Sequence, residues 1–95
     1  MRQTSIGFKH KGLSLEGVIS LPDSRLAPFP GVVVCHPHPL FGGDMENSVV
    51  VTLCKKLAEM DFGTLRFNFR GVGKSEGTFT NGSEEKEDIK AAIKV

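Results

Sequence analysis

Gly31-Val32-Val33-Val34-Cys35-His36-Pro37-His38-Pro39-Leu40-Phe41-Gly42-Gly43 is the stretch on which the reading of this chain turns. Its first residues are apolar without alternation, the pattern of a short strand buried on both faces, as in a parallel sheet. Pro37 and Pro39 carry no amide donor, so the ladder cannot run past Cys35 and the chain must turn. Gly42-Gly43 then admit a close backbone approach, and from about Ser48 the apolar spacing becomes helical. Strand, loop, helix is the building step of an α/β protein, and such folds keep their chemistry in loops at the carboxyl ends of strands.

Downstream, Val50, Leu53, Cys54, Leu57 and Ala58 fall at i, i+3, i+4, i+7 and i+8, which predicts an amphipathic helix of about three turns. Asn47 or Ser48 can cap its start by accepting a bond from an unpaired amide. Asp61 stands where a left-handed glycine commonly ends a helix, a placement costing on the order of a few tenths of a kcal/mol. Residues 63–70 read as the next strand, with Leu65, Phe67 and Phe69 on one face and Thr64, Arg66, Asn68 and Arg70 on the other. An interior parallel strand should be apolar on both faces, so the polar side is expected to meet loops or a site rather than solvent. Gly71, Gly73, Gly77 and Gly82 then form a loop around Phe79. A second helix is predicted from about Ser83, with Glu84, Glu85, Glu87 and Asp88 around its positive end and Ile89, Ala92 and Ile93 at helical spacing.

Upstream, Ile6 and Phe8, and after the turn-like His10-Lys11-Gly12 the residues Leu13, Leu15, Gly17, Ile19 and Leu21, alternate with polar neighbours as in a β-hairpin. His10 reads as a solvated turn residue. Pro22 to Pro30 form a surface connection, so residues 1–95 are expected to lie in one domain. The composition is that of an ordinary globular protein, with 39% hydrophobic and 24% charged residues and a net charge of +1, and implies neither a nucleic-acid nor a membrane partner. Met1-Arg2-Gln3-Thr4-Ser5 has no apolar signal core and no apolar run reaches the ~18 residues of a membrane span, so a cytoplasmic location is expected. Cys35 and Cys54 read as small buried apolar residues rather than a disulfide.

The run from Cys35 through His36-Pro37-His38-Pro39-Leu40-Phe41-Gly42-Gly43-Asp44-Met45-Glu46-Asn47, followed by Leu65-Arg66-Phe67-Asn68-Phe69-Arg70-Gly71-Val72-Gly73-Lys74-Ser75-Glu76-Gly77, resembles the α/β-hydrolase superfamily, closest to small bacterial hydrolases of the dienelactone-hydrolase type. The resemblance covers nearly the whole chain. It implies the N-terminal part of that fold, a β-hairpin followed by β-α-β-α, with the three-layer sandwich incomplete in this chain, which would be an N-terminal fragment of a single domain. It also implies acyl transfer to water by a Ser nucleophile, an acid and a His, without a cofactor, on an ester, thioester or similar small substrate. None of those three residues is assigned within the 95 residues, so the chain alone is expected to be inactive.

In relatives the place of His36-Pro37-His38 holds His, Gly and the residue whose amide helps form the oxyanion hole; the match puts that donor at His38. Prolines cannot donate, which leaves Leu40 as the alternative. A fixed N–H facing the tetrahedral oxyanion contributes about 3 kcal/mol. Phe41, Gly42 and Gly43 are the expected substrate contacts; Leu40 and Phe41 read equally as pocket walls and as loop anchors packed on the sheet.

Other readings of these motifs are weaker on spacing. Gly73-Lys74-Ser75-Glu76-Gly77 matches the serine elbow G-x-S-x-G in letters, but an elbow sits directly between strand and helix, and Gly77-Thr78-Phe79-Thr80-Asn81-Gly82 cannot start a helix at once. Gly71-Val72-Gly73-Lys74-Ser75 resembles the end of a phosphate-binding P-loop, yet Asn68 stands where its first glycine belongs. His36 and His38 lack a third and fourth ligand for zinc. The alternatives to a hydrolase are therefore a nucleotide-binding protein with a degenerate P-loop, and an interaction fragment with no site.

The family strand order puts the 63–70 strand between the hairpin and Val32–Val34, leaving the latter at an edge with no charge or proline to discourage a second chain. The 95-residue chain purified alone is expected to be poorly folded or to self-associate. Sedimentation velocity at tens of micromolar checks this, and a monomer with strongly protected Val32–Val34 amides would contradict it.

Overall fold

The computed structural model describes residues 2–22, 30–36, 43–80 and 84–94. Among them, β1 (Arg2–His10) and β2 (Leu13–Leu21) form an antiparallel hairpin, followed by β3 (Gly31–Val34), α1 (Ser48–Glu59), β4 (Gly63–Phe67) and α2 (Glu85–Ile93). The four strands make one sheet in the order β1-β2-β4-β3, with β2 antiparallel and β3 parallel to β4. This is the mixed sheet and the strand order that the resemblance implies.

The hairpin closes through Lys11 and Gly12, both at positive φ, the two-residue turn that matches strand twist. Gly17 lies where β2 passes closest to β4: a Cβ there would meet the Arg66 carbonyl oxygen at 2.9 Å. The parallel pairing of Val32, Val33 and Val34 with Thr64, Leu65 and Arg66 sets which side chains share a face.

Each face carries its own helix. On one side Leu65, Phe67, Phe69 and Val72 pack with Ala92 of α2, joined by Ile6, Phe8, Ile19, Val33 and Ile89. Phe67 is wholly buried and meets Phe8 and Phe69 edge to face, at 5.6 and 5.1 Å between ring centroids. On the other side Val34 packs with Val50 and Cys54 of α1, with Val32 and Leu57 beside them. The α1 stripe is narrower than its spacing predicts, since Leu53 is 45% exposed. Asn47 caps α1 by accepting the Val49 N–H at 3.0 Å, and Asp61 takes a φ of 66°, both as expected.

Some boundaries differ from expectation. β4 ends at Phe67, not at residue 70, because the next amides leave the β3 ladder for other partners: Phe69 N–H donates to the His36 ring and Arg70 N–H to the Asp88 carboxylate. β3 ends at Val34, and Cys35 is exposed rather than buried, because β3 is an edge strand with β4 on one side only among the described residues. Helix α2 starts at Glu85; the expected start at Ser83 lies outside the described residues. Thr80 organises that start, its hydroxyl accepting the Glu84 N–H at 3.0 Å and donating to Glu85 at 2.6 Å.

The polar side of β4 and of the residues just after it is buried, as expected, with Thr64, Arg66, Asn68 and Arg70 each under a tenth exposed. Arg70 reaches α2: Nη2 donates to Asp88 Oδ1 at 2.7 Å and Nη1 to Glu84 at 2.9 Å. The hydrogen bond to Asp88 raises the guanidinium pKa further above its already high value. Asp88 is fully buried, so Asp88→Ala leaves a buried cation with only an exposed partner. Loss of about 3–5 kcal/mol is expected for breaking such a pair, measured as a shift in the urea unfolding midpoint; a change below about 1 kcal/mol would contradict it.

Candidate functional site

The segment between β3 and α1 begins at His36 and ends in the turn 43–47. The candidate residues His38, Leu40, Phe41 and Gly42 lie outside the described residues, whereas Gly43 is buried at the start of that turn. The structure therefore gives the two ends of the segment and what holds them.

His36 is 6% exposed. Its Nε2 accepts the Phe69 N–H at 3.1 Å, so the proton of the neutral ring lies on Nδ1, and its ring meets that of Phe69 edge to face at 4.6 Å. At the far end both backbone groups of Met45 are held: its N–H donates to Asn68 Oδ1 at 2.7 Å, and its carbonyl accepts from Arg66 Nη1 at 2.8 Å. Arg66 also meets Glu46 at 3.0 Å. Within the turn, Asp44 Oδ1 accepts the Glu46 N–H at 2.8 Å and its carbonyl accepts the Asn47 N–H at 3.1 Å, which delivers Asn47 to the head of α1. Cys54 lies beneath, where burial pushes its thiol pKa up.

Asn68 and Glu16 tie this frame to the glycine loop. Asn68 Nδ2 donates to Glu16 Oε2 at 2.9 Å, and the Lys74 N–H donates to the same oxygen. Gly73, at φ +56°, closes over them; a Cβ there would lie 2.6 Å from Glu16 Oε2 and closer still to Asn68 Nδ2. Neither residue is singled out as functional by its sequence motif. The usable signal is the polar residue on an interior strand, since Asn68 alternates with Phe67 and Phe69 where a buried strand should be apolar.

This geometry decides among the readings of the loop. The Ser75 hydroxyl donates to the Asn68 carbonyl at 2.7 Å and accepts the Glu16 N–H at 2.9 Å, and Ser75 is 6% exposed. It is a buried brace between β2 and β4, not an outward nucleophile. The nucleotide reading fails for a related reason. A P-loop offers its amides to phosphate, but here the Lys74 amide already faces the Glu16 carboxylate, and an anion there would meet like charge. Among the described residues no three His, Cys, Asp or Glu side chains converge as a metal would require, and no helix is long and apolar enough to cross a membrane.

No family model matches the chain. An α/β serine hydrolase homologue from Coxiella burnetii is 45% identical and superposes with a TM-score of 0.86 over 96% of this chain and 43% of that one. The chain belongs to the α/β-hydrolase superfamily. A second solved member, an α/β serine hydrolase without a lid from Xanthomonas campestris, is 33% identical, with a TM-score of 0.87 over 97% of this chain and 43% of that one. An uncharacterized protein of Rickettsia prowazekii is 44% identical over 79 residues, 83% of this chain and 32% of its own length. The chain thus spans less than half the length of the relatives it matches, and in the hydrolase structures it corresponds to the N-terminal part. The α/β-hydrolase elements present are the hairpin, β3, α1, β4 and α2, with the layers on both faces begun.

With Glu16 occupying the loop, calorimetry with Mg-ATP is expected to show no saturable binding. A micromolar site abolished by Lys74→Ala would overturn that assignment.

Proposed function

We propose that these residues are the N-terminal part of a serine hydrolase that cleaves ester, thioester or similar small acyl substrates without a cofactor. The observation that carries this reading is the 45% identity to an α/β serine hydrolase homologue across 96% of the chain. In the proposal that segment supplies the backbone donor for the oxyanion, His38 N–H, with Leu40 N–H as the alternative. Phe41, Gly42 and Gly43 touch the substrate. The chemistry needs a rigid donor aimed at the place where negative charge develops, and a segment held at both ends by buried hydrogen bonds suits that need.

The nucleophile, acid and base of the triad are assigned to no residue among these 95, and Ser75 is spent on structure. The 95-residue chain alone is accordingly inactive in this reading, and a cytoplasmic enzyme with a small-molecule substrate is its natural setting.

A fluorophosphonate probe and p-nitrophenyl acetate test the proposal on the protein at its full natural length. Hydrolysis is expected, with the probe on a serine other than Ser75; no hydrolysis, or labelling of Ser75, would overturn it. His38→Pro removes the proposed donor and is expected to lower kcat by about 10²–10³-fold with little change in KM, whereas His38→Ala keeps the amide and most of the rate. An unchanged kcat in His38→Pro would move the donor to Leu40.

A further inference from the structure

We infer that Asn68 is a positioning residue that sets the Met45 peptide, and through it the C-terminal end of the segment between β3 and α1, in register with the glycine loop. The inference deepens the proposed function and rests on it only for the consequence to catalysis. The hydrogen bonding stands on its own.

Asn68 is 4% exposed and uses its four polar groups in four directions. Its N–H donates to the Glu16 carbonyl at 3.0 Å, its carbonyl accepts from the Ser75 hydroxyl at 2.7 Å, Oδ1 accepts the Met45 N–H at 2.7 Å and Nδ2 donates to Glu16 Oε2 at 2.9 Å. The backbone therefore fixes Asn68 against β2 and the glycine loop, and the amide plane is fixed by having both ends engaged. Only a side chain with an acceptor and a donor on one short stem can meet Met45 and Glu16 together. Arg66, two residues earlier in the chain, holds the Met45 carbonyl at 2.8 Å, so the two peptide units that flank the Met45 Cα each have a partner and neither can rotate without breaking a buried bond. One residue later, the Phe69 N–H holds His36 at the opposite end of the segment. The end of β4 thus supports both places where that segment leaves and rejoins the sheet.

A residue that only stabilises the fold would, on removal, loosen all of it. A positioning residue loosens one place first. Amide hydrogen exchange separates the two, with Asp88→Ala as a reference variant on the opposite face of the sheet. In Asn68→Ala the Met45 amide is expected to exchange about tenfold faster relative to the hairpin amides Ile6 and Phe8, as loss of one buried partner implies. In Asp88→Ala the Met45 and hairpin amides speed up together.

If Met45 is no less protected than the hairpin in Asn68→Ala, the inference is wrong. Should Asn68→Ala not fold, Asn68→Gln takes its place. Its amide sits one methylene further out, and the same selective loss at Met45 is expected. A protein that hydrolyses no ester while showing this exchange pattern would sink the proposed function and leave the role of Asn68 intact. In an active protein the expected signature is a lower kcat at unchanged KM for Asn68→Ala.

Discussion

Three consecutive amides where β4 ends bind three different parts of the molecule. Asn68 donates to the carbonyl of Glu16 in the hairpin, Phe69 to the His36 ring beyond β3, and Arg70 to the Asp88 carboxylate of α2. A buried amide must have a partner, so once the chain departs from the ladder something else has to receive each of these groups. The groups that do so, one main-chain carbonyl and two side chains, come from separate elements, and satisfying the backbone is what draws them to one point. The glycine loop, the turn into α1 and the head of α2 are all arranged around that point.

The polar face of β4 follows from the same constraint. Arg66 and Arg70 are each close to fully buried and carry charge into the protein, which is tolerable only with several good hydrogen bonds. Arg70 finds a buried carboxylate, and Arg66 finds a carbonyl and a carboxylate that is largely exposed. The two arginines thereby take different tasks. One locks α2 to the sheet, and the other holds the turn that leads into α1.

Glu16 gives the glycine loop its meaning. Its motif letters suggest a phosphate cradle or a nucleophile, yet a carboxylate of the protein itself sits against the Lys74 amide, and the Ser75 hydroxyl is used up between β2 and β4. Backbone amides gathered by glycines attract anions of any origin, internal ones included. The outcome is a rigid brace beside the segment proposed to carry the oxyanion donor, which suits a fold whose catalytic groups must be held within a fraction of an ångström.

Local patterning by itself determined the element order, the hairpin, the helix with its Asn47 cap, the left-handed Asp61, and the polar strand that needed buried partners. Each of these follows from periodicity or from the conformational range of one residue, which neighbours in sequence suffice to define. The resemblance of two motifs supplied the strand order and the family. Tertiary structure alone decided where β4 stops, why Cys35 is exposed, and that Glu16, Asn68 and Ser75 form one network across the hairpin and the loop. Glu16 and Asn68 are 52 residues apart in the chain, and their pairing depends on the antiparallel register of β2 against β4. Such a pairing has no periodic trace. A polar residue in an interior strand announces that it requires a partner, but the partner's identity is set by which strands the fold places side by side.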